Sequence, residues 1–446
     1  MPTDASFRRL VLGAMGGLLA ITLGCSVLLY HTGPRPRTLS YDAVQAPTIA
    51  TLTFDRPLQA GQPVSKLVRM SPQLPFTVSL QANQVTLRFS QRLASNTLYT
   101  VRILPGLRDV EGRPSQRTFA QQIMTQPARY VFLRRTYQCA RQPCQDKIIE
   151  RTVGSSHEHI LAHAPRIKTF DYTHNYLAIL HSIDKKHDQL TVENLHTHRI
   201  AVVPLPASEK MSEMHLSPTL PIVSFFGYTP HYETVLTNYL LNQNRAVQVK
   251  PPGKNNGATG FIYSHDGRTL LYQAYTQGYY ATDPSSTHPT STFLGTFITT
   301  GGFSTDDTKI LFQGSELYTF VYDASSKTST QLSVPTDVAS LHFTALGNAV
   351  LSQTFGSQKG DMIALTKPGY AKPTRTYQLS LSAQSFSPSP DDHYFLLQVE
   401  TPGNDGLDDA AGYDTFAQPK NASIALYDTT TGMVTTHIAG CQPQWE

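Results

Sequence analysis

The chain has 446 residues, too many for one compact core, so two or three folded units are expected. Only 15% of the residues are charged and the formal net charge is +4, which excludes the broad basic footprint of a nucleic-acid-binding protein. The 22 Tyr, 28 Gly and 30 Pro favour strands and turns over surface helices, so the fold class is mainly β.

The N-terminus reads as a short tail, residues 1–9, followed by an uncharged run from Leu10 to Tyr30. About 20 apolar residues at ~1.5 Å rise span a bilayer core, so 10–30 is expected to be a transmembrane helix acting as a retained signal-anchor. The rival is a cleaved signal peptide, whose apolar region is usually only about 7–15 residues long. Within this run Thr22-Leu23-Gly24-Cys25 has a faint likeness to a lipid-attachment box, set against a plain cysteine in the helix. Arg8 and Arg9 precede the run and Arg35 and Arg37 follow it, so the basic flanks nearly cancel. Orientation therefore rests on the small tail: N-terminus cytoplasmic, the rest extracytoplasmic, a single-pass cell-membrane protein. Residues 31–45, with Pro34 and Pro36, read as a stiff linker.

From 46 to 126 short runs alternate at period two: Ile49 to Phe54, Phe76 to Leu80, Gln84 to Phe89, Thr97 to Ile103 and Thr118 to Met124. Turn-formers such as Asp55, Asn83, Asn96, Gly106 and Gly112 separate them, the pattern of a β-sandwich. Leu52-Thr-Phe-Asp-Arg-Pro-Leu58, Leu98-Tyr-Thr-Val-Arg-Ile103, Leu107-Arg-Asp-Val-Glu-Gly-Arg-Pro114 and the closing Phe119 carry a resemblance to the bacterial Ig-like domains of the surface-layer SbsA type. The segment departs from that pattern at Arg113, where Asn is common, and at Gln91-Arg-Leu-Ala-Ser95, which lacks the usual Pro-Gly. Nine Arg and Lys here, among them Arg56, Lys66, Arg69 and Arg88, face only Asp55, Asp109 and Glu111. Two readings follow: a weak contact with anionic lipid or wall polymer, or the solvated faces of a sandwich.

Cys139 and Cys144, five apart across Pro143, suit a disulfide-closed turn in an oxidising compartment. No second pair stands at a zinc-site spacing.

Over 128–446 a unit recurs about every 40 residues, the sign of a β-propeller or solenoid. The clearest copies start at Phe261-Ile-Tyr-Ser-His-Asp-Gly267, Phe303-Ser-Thr-Asp-Asp307 and Phe386-Ser-Pro-Ser-Pro-Asp-Asp392. Fainter ones start near Ile167, Met214 and Leu341, which makes six. Hairpins such as Tyr318 to Leu332 and Ser423 to Thr436 supply second halves. A seventh blade is expected to be composite, with Gly440 to Trp445 opening it and Tyr130 to Arg134, Lys147 to Arg151 and His159 to Ala162 completing it; six blades with a free tail is the alternative. The repeated turn and hairpin resemble TolB-like and related WD40-type propellers, a likeness of fold. Asp266-Gly267, Asp306-Asp307 and Asp391-Asp392 read as turn chemistry for each hairpin.

A G-x-S-x-G elbow is missing and the sole Trp is Trp445, which removes the serine-hydrolase and Asp-box sialidase routes. His157, His159 and His163, or His196 and His198, form no ligand set of diagnostic spacing. Asn404-Asp-Gly-Leu-Asp-Asp409, within an acidic insertion over 401–421, departs from EF-hand spacing and reads as a loop. No catalytic, cofactor or metal residue is expected. The expected function is a membrane-anchored, noncatalytic envelope binding or scaffold protein, its propeller taking a protein or envelope polymer as partner. The alternative is a glycan- or peptide-processing enzyme with a site in the propeller channel.

Overall fold

The structure, a computed structural model, describes residues 11–23, 33–42, 49–89, 93–136, 145–183, 187–205, 211–228, 234–252, 257–275, 278–314, 318–334, 338–345, 347–355, 360–370, 372–399 and 422–446. The chain divides into two compact units, one of residues 1–43, 48–90 and 97–125, the other chiefly 126–446.

Residues 11–23 are helical. Among the described residues no helix is long and apolar enough to cross a membrane. Leu10 and residues 24–30, the remainder of the expected span, lie outside the described residues, as do Cys25, Cys139, Cys144 and the 401–421 insertion.

The first unit holds two antiparallel sheets. One has the order Pro36–Asp42, Ile49–Phe54, Gln84–Phe89, Phe76–Gln81; the other has Val68–Ser71, Leu98–Ile103, Phe119–Met124. Alternate residues turn inward, as in Ile49–Phe54, where Ala50, Leu52 and Phe54 are buried, and in Leu98–Ile103, where Tyr99, Val101 and Ile103 are. The linker expected over 31–45 is corrected here: Pro36–Asp42 pairs antiparallel with Ile49–Phe54, with a register shift between Pro36 and Thr38. Pro36 stands at the first position of an edge strand, where the missing N–H costs no ladder bond, so proline gives no sign of a linker there.

Among the described residues the second unit is built from seven four-stranded antiparallel sheets, each a meander from an innermost to an outermost strand. In chain order blade 2 runs Ile167–Tyr172, Tyr176–Ser182, Asp188–Asn194, Arg199–Val203, and blade 3 runs Met211–Leu216, Ile222–Tyr228, Thr234–Leu240, Arg245–Val249. Blade 4 is Ala258–Tyr263, Leu270–Ala274, Gly278–Thr282, Ser291–Gly295, and blade 5 is Thr299–Phe303, Lys309–Gln313, Thr319–Asp323, Thr328–Leu332. Blade 6 is Val338–Phe343, Val350–Thr354, Met362–Thr366, Arg375–Gln378, and blade 7 is Ala383–Pro388, Tyr394–Val399, Ser423–Asp428, Met433–Ala439. Blade 1 is composite: Cys441–Trp445 is its innermost strand and pairs with Arg129–Arg134, which continues to Gln145–Thr152 and Glu158–Pro165.

The second strand of each blade is buried on both faces, which is why its sequence reads as a continuous apolar run rather than an alternation. In blade 5, Ile310 and Phe312 pack towards blade 4 while Leu311 packs towards blade 6. In blade 1, Tyr130 and Phe132 face blade 7 and Val131 and Leu133 face blade 2. Every junction between neighbouring blades holds its own buried cluster, including the one joining the two ends of the repeat array. The result is a closed seven-bladed propeller. Each innermost strand also carries a register shift, as between Ala258 and Gly260 or Ala383 and Ser385, and such bulges bend a strand and re-aim its side chains.

Candidate functional site

Two sets of polar clamps shape the ring around its axis. At the end where the innermost strands begin, a side chain opening the third strand of one blade caps the first strand of the next. Asp146 Oδ2 accepts the Ile167 N–H at 2.9 Å, Thr234 Oγ1 accepts the Ala258 N–H at 2.9 Å, and Asp361 Oδ2 accepts the Ala383 N–H at 2.8 Å. Glutamines at the end of the second strand reinforce them. Gln353 Nε2 donates to Ala383 O at 2.6 Å, Gln273 Nε2 to Ile298 O at 3.0 Å, and Gln398 Oε1 accepts the Gln442 N–H at 2.7 Å.

At the opposite end lie the hairpin turns from first to second strand. In Ser264-His-Asp-Gly267, Ser304-Thr-Asp-Asp307 and Ser389-Pro-Asp-Asp392 the serine hydroxyl donates to the first Asp at 2.7, 2.7 and 2.5 Å. Each hydroxyl also accepts an N–H from the strand that follows. The fourth residue is left-handed in every case, with φ of 68° at Gly267, 58° at Asp307 and 59° at Asp392. At Gly267 a Cβ would collide with Ser217 Oγ of blade 3, so it is packing that favours glycine over the aspartate found at the same φ in the other two turns. The two aspartates reach back to the preceding blade instead. Asp307 accepts the N–H groups of His265 and Asp266 at 2.8 and 2.9 Å, and Asp392 Oδ2 accepts the Ala345 N–H at 2.6 Å. The first Asp of each pair thus performs the turn chemistry read from the sequence, while the second joins blades.

Inside the ring, the innermost strands enclose a cavity of about 820 Å³ that opens among these turns and runs alongside blades 5 and 6. Gly301 and Gly302 thin its wall, and a Cβ at Gly302 would meet no heavy atom within 4 Å. His215 stands in the wall, its Nδ1 3.6 Å from Asp171 Oδ2 and its Nε2 3.3 Å from Glu213 Oε1, with its ring edge-on to Phe261. Enclosure opposes charge on the imidazole, but the two carboxylates outweigh it and hold its pKa up to about 10. His342, edge-on to Phe386, lacks such partners, and burial pushes it down to about 4. Burial likewise raises Asp392 to about 7, aided by the like charge of Asp391 and opposed by the Ala345 N–H. Tyr263 is pushed up by burial and shares a 2.5 Å hydrogen bond with Ser224, whose hydroxyl also donates to Asn238. Trp445 lines the same cavity, its indole N–H donating to Ser387 O at 2.9 Å.

The sequence singled out none of His215, Asp171, Glu213 or His342. Their only signal is position on an innermost strand, which needs the blade register to be known. The histidines it did single out, His157, His159, His163, His196 and His198, are all exposed and away from the channel; His196 meets Asn175 and His198 meets Glu193. Among the described residues no group of three or more His, Cys, Asp or Glu is placed to hold a metal ion.

The family model for the bacterial Ig-like domain matches residues 36–125, the bounds of the first unit's strands. No curated protein matches the chain. Among solved structures it is similar to a chain of the mitotic checkpoint complex, at 10% identity and a TM-score of 0.43, covering 61% of this chain and 80% of that one. It is also similar to TolB from Acinetobacter baumannii, at 12% identity and a TM-score of 0.41, covering 79% of this chain and 80% of that one.

Proposed function

We propose that this chain, with an Ig-like domain over residues 36–125, is a noncatalytic binding protein of the cell envelope, that its N-terminal apolar segment anchors it in the membrane, and that the propeller channel is its recognition surface. The observation that carries the reading is the cavity of about 820 Å³ on the propeller axis, large enough for a ligand and lined by polar side chains between aromatic rings. Of the polar groups there, Tyr263 is hydrogen-bonded to Ser224, and His215 is held as a cation by its carboxylates, unsuited to take a proton. The anchor reading rests on the uncharged run from Leu10 to Tyr30.

The test is crosslinking on intact cells followed by mass spectrometry, comparing the native protein with Ala339→Trp. Ala339 is an exposed residue of the channel wall, so the indole would occupy the cavity without displacing core. Loss of the crosslinked partners in the variant is expected. An unchanged partner set would overturn the channel as the recognition surface.

A further inference from the structure

We propose that the channel seats an organic cation, a primary ammonium or guanidinium carried on an extended chain, with the charge against Asp392 and the chain running between blades 5 and 6 towards Gln313. This deepens the recognition reading and rests on it.

Four observations lead there. The cavity wall presents the carboxylates of Asp171, Asp392 and Glu446, and no Lys or Arg is among its described lining residues. Two of the three are already matched: Asp171 holds His215 and the Leu216 N–H, and Glu446 lies 2.5 Å from Arg129 Nε. Asp392 is different. Its Oδ2 takes the Ala345 N–H, but its buried Oδ1 meets no hydrogen-bond partner among the described residues.

Asp307 is the internal control. It occupies the same left-handed turn position in blade 5, yet its Oδ1 takes the His265 N–H and its Oδ2 the Asp266 N–H. Asp392 engages only the Ala345 N–H among the described residues, the counterpart of Asp266 being Leu346, which lies outside them, so its second oxygen stands unmatched at the cavity wall.

The other end of the cavity supplies an independent signal. Gln313 is only 7% exposed, lines the cavity, and its Nε2 is a buried donor with no partner among the described residues. It pairs with Thr299, at the far end of blade 5's innermost strand from the hairpin turns. A five-residue strand rises about 3.3 Å per residue, so roughly 15 Å separates the two ends. A compact ion cannot engage both, whereas an extended chain with a cation at one end and a hydrogen-bond acceptor along its length can. At the turn end, where Asp392 stands, the wall offers the rings of Tyr263, Phe343 and Trp445, surfaces that suit an ammonium or guanidinium group.

The experiment uses the full-length protein in detergent and reads the emission of Trp445, its sole tryptophan, with calorimetry alongside. The probes are spermidine, a capped pentapeptide with one central lysine, the same peptide with that lysine acetylated, and calcium chloride. Saturable binding of spermidine or of the lysine peptide is expected, at least tenfold weaker for the acetylated peptide and at least tenfold weaker in Asp392→Asn. Gln313→Leu should weaken the longer probe while leaving the acetylation discrimination intact. Binding by spermidine alone assigns the site to a free amine, and by the peptide alone to a basic protein segment; either supports the cation site. Equal binding of the two peptides, indifference to Asp392→Asn, competition by calcium at equal strength, or binding by no probe would overturn it. If no probe binds while Ala339→Trp still abolishes the crosslinked partners, this inference fails and the channel reading stands.

Discussion

At the scale of single residues, Asp109 shows what holds the first unit's turn. It is fully buried and accepts the N–H groups of Glu111 and Arg113 at 3.0 and 2.9 Å and the Arg113 Nε at 2.7 Å. Burial alone would raise its pKa, but these bonds outweigh it and hold the carboxyl below its usual range. Arg113, the departure from the Ig-like pattern, is therefore the partner that neutralises Asp109. Asp109→Ala should destabilise the unit by about 3 kcal/mol, because two N–H groups and a guanidinium lose their acceptor. Amide exchange over residues 105–115 in the full chain checks it. Because the folded pKa is depressed, the stabilisation is full above the unfolded value of about 4 and disappears as pH falls through the folded value, so the native and variant proteins should converge in acid. Asp392 gives the opposite sign. Its folded pKa of about 7 means that ionisation costs stability, nothing being lost below the unfolded value of about 4 and the full cost appearing above 7. Asp392→Asn should accordingly raise the melting temperature at pH 8 and leave it unchanged at pH 4. Both aspartates are visible in the sequence, but only as turn residues. Asp109 finds its partners within four residues, whereas what sets Asp392 apart, one oxygen matched across a blade junction and the other unmatched, depends on Ala345, 47 residues away.

At the scale of elements, the hairpins were legible because their chemistry is local: a serine, an aspartate two residues on and a left-handed fourth residue lie within one turn. Pro36–Asp42 was not legible, since a strand opening on proline looks like a spacer until its partner Ile49–Phe54 is placed beside it. The first-strand caps were also missed. Asp146 and Asp361 appear in the sequence as isolated acids before a third strand, with nothing to announce that they cap the next blade. Asp361 is fully buried and also accepts from Gln353 Nε2 at 3.1 Å, so Asp361→Ala strands the Ala383 N–H and one N–H of the Gln353 amide, whose other bond is to Ala383 O. The expected loss is on the order of 3 kcal/mol. Exchange should rise in Ala383–Pro388 and Val350–Thr354 together, whereas a rise confined to the mutated turn would argue against the cap.

At the scale of the whole molecule, the second unit is a ring closed by its two distant ends. The composite blade was readable because Gly440 to Trp445 lacks the three strands a blade requires while Tyr130 to Ala162 lacks the first. Trp445, on the innermost strand of that blade, is half-buried and faces the channel, edge-on to Tyr130. Closure defines the cavity, because Pro443 to Glu446 form part of its wall, and it buries the cluster in which Tyr130 and Phe132 meet Leu396 and Ile424. An open ring would expose the edge of Arg129–Arg134 and unmake that cluster. The most direct measurement is the thermal unfolding of a chain truncated after Ala439. Loss of the Cys441–Trp445 strand should lower the melting temperature by on the order of 10 °C or more and raise amide exchange in Arg129–Arg134 and in Ile167–Tyr172 on its other side. A truncated protein that melts within about 2 °C of the full chain, with exchange unchanged in those strands, would contradict closure through the termini and the channel built upon it.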